Sequence, residues 1–223
     1  GKDRLTEICA GIGMQEPLTR LIHSPEAVSS VLEEMGLPVM VKGIYYEAHQ
    51  ADTLVDAVAR VHRLAAVWGY PVIVQKIVTG EHLNLVGVGD GRGGSLGLLG
   101  IKKVSQTSLG KIWTGVTVRN EALLSAAERF IQVYNWRGPF ELECIARGED
   151  LFLIEINPRF PAWVYFAAEG GINLPARMLR HCMAAAVDPL PAYDAGKLFV
   201  RYTWEMVTDQ AHFQNFILQG ENA

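Results

Sequence analysis

Five residues in "GPFELECIARGEDLFLIEINPRF" (138–160) have the types and spacing for metal and phosphate chemistry: Glu141, Glu143, Glu155, Asn157 and Arg159. The two halves of this stretch read as strands around a turn at "RGED". Residues two apart on a strand share a face. Glu141 and Glu143 therefore point one way, as do Glu155 and Asn157 on the next strand. With a three-residue loop, Gly148 to Asp150, Glu143 falls opposite Glu155 and Glu141 opposite Asn157; a two-residue loop shifts that register. Opposed Cβ atoms lie roughly 4.5–5.5 Å apart, where like charges destabilise a sheet. Glu155 also interrupts an otherwise apolar strand, where an unpaired carboxylate is costly. A divalent cation removes the repulsion. Two carboxylates and an amide oxygen are hard ligands suited to Mg²⁺, which keeps waters and substrate phosphates as well. Arg159 adds a planar fork of donors for phosphate oxygens. A solvated polar face with a surface arginine fits the same spacing, so the hairpin alone leaves both readings open.

A second stretch, "GVGDGRGGSLG" (87–97), holds G-x-G-x-x-G at Gly89, Gly91 and Gly94. That loop binds a dinucleotide only when a strand precedes it and a helix follows. Here "LNLVGV" before and "SLGLLGIKK" after both alternate like strands, and Asp90-Gly91 signals a hairpin turn. The reading is a glycine-rich hairpin, and a nicotinamide dehydrogenase would rest on these glycines alone.

The elements that must position the acidic hairpin are partly legible. Ser24-Pro25 opens a helix carrying Val28, Val31, Leu32 and Met35, closed by Gly36. "LPVMVK" (37–42) follows as a strand. Asp52 is the expected cap of a helix with Leu54, Val58, Val61, Ala65 and Trp68 on one stripe, and "VIVQK" (72–76) is a buried strand. An Asn120 cap starts a helix with Leu123, Leu124, Ala127, Phe130, Ile131 and Tyr134 on one face. Residues 162–186 read as helical with a break at Gly170-Gly171. The 223 residues are 49% hydrophobic with a formal net charge of −4. That suits a sizeable core and gives no electrostatic reason for nucleic acid or an anionic membrane as partner. Cys9, Cys144 and Cys182 form no C-x-x-C, and there is no H-E-x-x-H, signal peptide or membrane-length apolar run, so a cytoplasmic protein is expected.

"GPFELECI…LFLIEINPR" resembles the metal-binding hairpin of the ATP-grasp superfamily. It is most similar to the carbamoyl-phosphate synthetase and biotin carboxylase branch, where an acid or Gln is followed twelve residues on by E-x-N-x-R. The resemblance implies an α+β ATP-grasp fold: a small α/β lobe with its preceding helix (1–76), and a larger lobe with an antiparallel sheet, the metal-binding hairpin and a C-terminal segment (77–223). The nucleotide would lie between them. It implies an ADP-forming ligase that activates a carboxylate or bicarbonate as an acyl phosphate for attack by an amine or another nucleophile. ATP and Mg²⁺ (or Mn²⁺) would serve it, with Glu143, Glu155 and Asn157 as metal ligands and Arg159 as the catalytic contact to phosphate or acyl phosphate. "PVMVK" matches the strand bearing a phosphate-binding residue, here Lys42, and "KDR" the charged residue that opens the domain, here Arg4. "VIVQKIVTGEH" resembles the hinge where backbone near Gln75, Lys76 and Val78 meets adenine, with Glu81 or His82 at the ribose. Lys102, Lys103 and Lys111 either reach phosphate or are solvated. The chain departs from the branch in lacking a glycine run after Lys42, where "GIYYEAHQ" stands. The family usually carries an N-terminal α/β domain, so one is expected ahead of Gly1, and a homodimer is compatible with the resemblance. Small carboxylate and amine substrates are the expected partners. A non-catalytic ATP-binding regulatory module is the alternative.

Overall fold

Two antiparallel sheets organise the computed structural model, which describes residues 5–44, 47–107, 110–190, 192–202, 207–211 and 214. The smaller sheet joins β1 (Thr19–Ile22), β2 (Val39–Lys42), β3 (Ala48–Ala51) and β4 (Val72–Lys76) in the order β1-β4-β2-β3. Two helices, α2 (Val28–Met35) and α3 (Leu54–Trp68), cover one of its faces. Alternation decides the faces. Ile22, Val39, Val41, Val72 and Val74 enter the helix-backed core with Val28, Leu32 and Met35 of α2. Thr19, Met40, Lys42, Ile73 and Gln75 are consequently left on the other face.

α3 begins one residue later than its sequence suggests. Thr53, not Asp52, is the cap, its hydroxyl accepting from the Asp56 amide, while Asp52 accepts from the Gln50 side chain. The fully buried stripe is Ala57, Val61 and Leu64, and Leu54 stays exposed. Thr and Asp are nearly equivalent caps, so the sequence carries little to separate neighbours.

The larger sheet runs β10-β7-β6-β5-β8-β9. Its strands are β5 (Glu81–Asp90), β6 (Ser95–Gln106), β7 (Ile112–Thr117), β8 (Arg137–Arg147), β9 (Asp150–Asn157) and β10 (Leu198–Val200). On one face, α1 (Leu5–Ile12) and α4 (Glu121–Tyr134) pack over Leu83, Leu85, Leu98, Phe140, Leu142, Leu151 and Leu153. On the other, Trp163 with α5 (Val164–Glu169) and α6 (Leu174–Cys182) packs over Val86, Val88, Leu99 and Ile101. α4 is capped by Asn120, whose side chain accepts from the Leu123 amide. The opening helix, expected with the small lobe, packs instead in the large lobe's core. The chain after it is pinned to β9 by Gln15, whose amide donates to the Leu151 carbonyl and whose carbonyl accepts from the Leu153 amide.

β5 and β6 form the glycine-rich hairpin, with no helix after the glycines. Gly91 turns at φ 80°, and a Cβ on Gly89 would sit 2.2 Å from the Trp136 carbonyl oxygen. Turn geometry and close packing account for these two motif glycines without a phosphate.

The acidic hairpin has a shorter loop than its sequence suggests. Arg147 pairs with Asp150, so the loop is the two residues Gly148 and Glu149, not three. That register alone would put Ile154 opposite Glu143. A bulge at Ile154 inserts one unpaired residue, after which Glu143 faces Glu155 and Glu141 faces Asn157. A uniform three-residue-loop register would have turned Leu151 and Leu153 out of the core. The bulge keeps both leucines inside and still delivers Glu155 and Asn157 to the opposite face.

Candidate active site

The polar residues gather on the large sheet's second face, away from Val88 and Leu99. Glu141 and Glu143 stand on β8, Asn84 on β5, Lys103 on β6, and Glu155 and Asn157 on β9. Asn157 sits at the centre. Its Nδ2 donates to Glu143 Oε1 at 3.1 Å and to Glu141 Oε2 at 3.3 Å. Lys103 Nζ lies 3.9 Å from Glu143 Oε2. Glu155 faces Glu143 in register and is exposed, so the expected cost of burying it does not arise.

The buried carboxylate is Glu141, whose side chain is only 4% exposed. Asn84 Nδ2 and Trp163 Nε1 donate to its Oε1 at 3.0 and 2.9 Å, and Arg159 Nη1 lies 3.5 Å from its Oε2. Burial, and then the charge of Glu143, push the Glu141 carboxyl above the usual carboxylate range. Hydrogen bonds from Trp163 and Asn84 and the Arg159 charge pull the other way. Arg159 is largely exposed and also donates to the Phe160 carbonyl, which leaves further guanidinium donors facing solvent.

On the small lobe, Lys42 and Gln75 meet. Lys42 Nζ donates to Gln75 Oε1 at 2.6 Å, and Gln75 Nε2 donates to Thr19 Oγ1 at 3.0 Å. Lys76 turns away, its ammonium donating to the Met35 and Gly36 carbonyls at the end of α2 and its amide to Leu18. Val78 lies in the linker 77–80 that joins β4 to β5, hence one sheet to the other. Glu81 and His82 separate onto opposite faces of β5. Glu81 pairs with Lys102, whereas His82 shares the face of Asn84 and Lys103. Burial, and then the Lys103 charge, hold the His82 imidazole below its ordinary value. Lys111 is exposed. Arg4 lies outside the described residues. Between Gln75 and His82 the chain reaches at most about 25 Å when fully extended. Two open depressions, of about 530 and 400 Å³ by Glu149 and by Arg180, belong to other parts of the surface.

No protein-family model matches the sequence. Solved structures do. The biotin carboxylase domain of Hydrogenobacter thermophilus 2-oxoglutarate carboxylase superposes with a TM-score of 0.69 at 16% identity, over 82% of this chain and 45% of that one. N5-carboxyaminoimidazole ribonucleotide synthetase from Thermus thermophilus gives 0.68 at 20% identity, over 87% and 54%. A RimK-domain ATP-grasp protein from Sphaerobacter thermophilus gives 0.62 at 17% identity, over 81% and 66%. The fold is ATP-grasp. The chain spans about half the length of the first two structures, and the Hydrogenobacter domain was solved with MgADP, ADP and bicarbonate.

Among the described residues no three His, Cys, Asp or Glu side chains converge as a metal site. The candidate set on this face is two carboxylates and an amide. Three carboxylates (Glu141, Glu143, Glu155) share their face with two cations (Lys103, Arg159), so added positive charge and hard oxygen donors suit Mg²⁺ or Mn²⁺. Sequence reasoning placed Glu141 on this face and gave it no role. It also passed over Asn84, the one polar residue in "LNLVGV", and Trp163, whose indole reaches Glu141 from beyond the hairpin.

Proposed function

We propose that the chain is the ATP-binding core of an ADP-forming ligase, one that activates a carboxylate or bicarbonate as an acyl phosphate for attack by an amine or a related nucleophile. The observation that carries this reading is the face holding Glu143, Glu155 and Asn157 beside Arg159, within an ATP-grasp fold. Glu143, Glu155 and the Asn157 amide oxygen would hold Mg²⁺ or Mn²⁺. When bound, the metal supplies charge neutralisation for the transferring phosphoryl group. Arg159 keeps donors for phosphate oxygens, since only Nη1 is drawn toward Glu141. Lys42, steadied by Gln75, would present its ammonium to the phosphates from the small lobe. Backbone near Gln75, Lys76 and Val78 would meet adenine. His82 is better placed than Glu81 for the ribose hydroxyls, because Glu81 is paired to Lys102 on the far face. Closure of the lobes would keep water from the acyl phosphate.

No protein nucleophile is required. Cys9 and Cys144 are buried, and burial raises both thiols to about 12. No helix among the described residues is long and apolar enough to cross a membrane. The test is ADP release from ATP and Mg²⁺ against pooled carboxylic acids, bicarbonate and amines. Release that depends on an added acid supports the ligase. ATP binding with no release in any pool favours a regulatory module.

A further inference from the structure

Glu141 is the best-held charged side chain on this face, yet it is not among the residues proposed to touch metal or phosphate. Both of its oxygens are engaged, Oε1 by Asn84 and Trp163 and Oε2 by Asn157 and Arg159. An ionised carboxylate only accepts hydrogen bonds, so whatever faces it must be a donor. Acting as a direct ligand would disrupt buried hydrogen bonds whose loss is costly. Asn157, by contrast, has one donor end and one acceptor end. Its nitrogen is shared between Glu141 and Glu143, and a cation drawn to Glu143 and Glu155 would end the second of those contacts.

We infer that Glu141 is a positioning residue: it accepts the Asn157 N–H and so turns the Asn157 amide oxygen toward the metal. Asn84 and Trp163 clamp the carboxylate so that it cannot follow the amide if that flips. Partners behind a metal ligand commonly fix ligand orientation in this way. The inference rests on the metal-site reading above.

The test is Mn²⁺ binding to the protein, followed by electron paramagnetic resonance, with melting temperature recorded for each variant. Glu141→Gln keeps the shape but must set an NH₂ against existing donors, so Mn²⁺ affinity should fall by about tenfold or more. The swap Glu141→Gln with Asn157→Asp exchanges donor and acceptor, preserves total charge and keeps an oxygen for the metal. It should return Mn²⁺ affinity to near the wild-type value, which a merely space-filling Glu141 does not predict. Equal affinity in wild type and Glu141→Gln overturns the inference, as does a swap that binds no better than Glu141→Gln. If Glu141→Gln does not fold, the swap decides alone: folded and binding supports the assignment, unfolded or non-binding overturns it. Wild-type protein that ignores Mn²⁺ removes the metal site itself, a distinct result.

Discussion

Glu141, Glu143 and Glu155 share one face, and their surroundings give them different tasks. Glu155 is exposed, so its repulsion from Glu143 is screened by water. Glu155→Gln should therefore change the stability of the metal-free protein by no more than about 0.5 kcal/mol. The same change removes a proposed hard ligand, and Mg²⁺·ATP affinity should fall by about tenfold or more, corresponding to roughly 1.5 kcal/mol or more for a contact to charge. Melting curves with and without Mg²⁺·ATP read both effects; a large drop in metal-free melting with the ATP-dependent gain intact would make Glu155 structural. Lys42→Met keeps the stem and removes the ammonium, so ATP should bind about ten- to a hundredfold more weakly. Calorimetry giving equal affinities would remove Lys42 from the site. His82 has a folded pKa below its ordinary 6.5, so the unfolded chain takes the proton first. Its contribution to stability is complete above about pH 6.5 and is lost as pH falls from there toward the lower folded pKa. His82→Gln should flatten that part of the stability–pH curve, and an unchanged curve would contradict the shift. The types at 143, 155, 157 and 159 were legible because strand alternation is local. The partners of Glu141 were not, since Asn84 comes from β5 and Trp163 from beyond the hairpin.

Each of the two hairpins has a turn or a bulge that the side-chain period alone does not reveal. In β5–β6 the glycines serve the turn. Gly91→Ala places a Cβ at φ 80° and 3.2 Å from the Arg137 side chain. The cost should be about 1 kcal/mol or more, with ATP affinity of the folded protein unchanged. Loss of ATP affinity at an unchanged melting temperature would mean that the turn does bind nucleotide. In β8–β9, deleting Ile154 leaves Leu153 against Cys144 and Glu155 against Glu143 in regular alternation. The shortened protein should keep Mg²⁺-dependent ATP binding, and a folded deletion variant without it would show that the bulge shapes the site beyond setting register. Asn120, the Asp90-Gly91 turn and both acidic strands could be read from sequence because caps, turns and alternation are short-range. The bulge could not, because a two-residue loop with a bulge and a three-residue loop place the same acids together. The leucines decide between them, through a core built by α1 and α4.

At the scale of the molecule, the two sheets are joined by the short linker 77–80, where a Cβ on Gly80 would meet the Ala146 carbonyl oxygen at 2.2 Å. The linker lies against the acidic hairpin and joins the strand of Gln75 to the strand of His82. The two-lobed plan was legible because the motifs fall in order along the chain; the placement of α1 with the large lobe was not, since its partners lie over a hundred residues away on α4. That placement buries Cys9 in the same core as Cys144, while Cys182 is exposed. A thiol reagent should label Cys182 alone in the folded protein and all three cysteines after denaturation; rapid native labelling of Cys144 would contradict the packing of α1 and α4 over β8. The most direct test of the whole account is calorimetric titration of the protein with ATP, once in excess Mg²⁺ and once in EDTA. The account predicts saturable binding of one ATP per chain in Mg²⁺, weakened by about tenfold or more without the metal. No binding, or equal binding with and without metal, would contradict it.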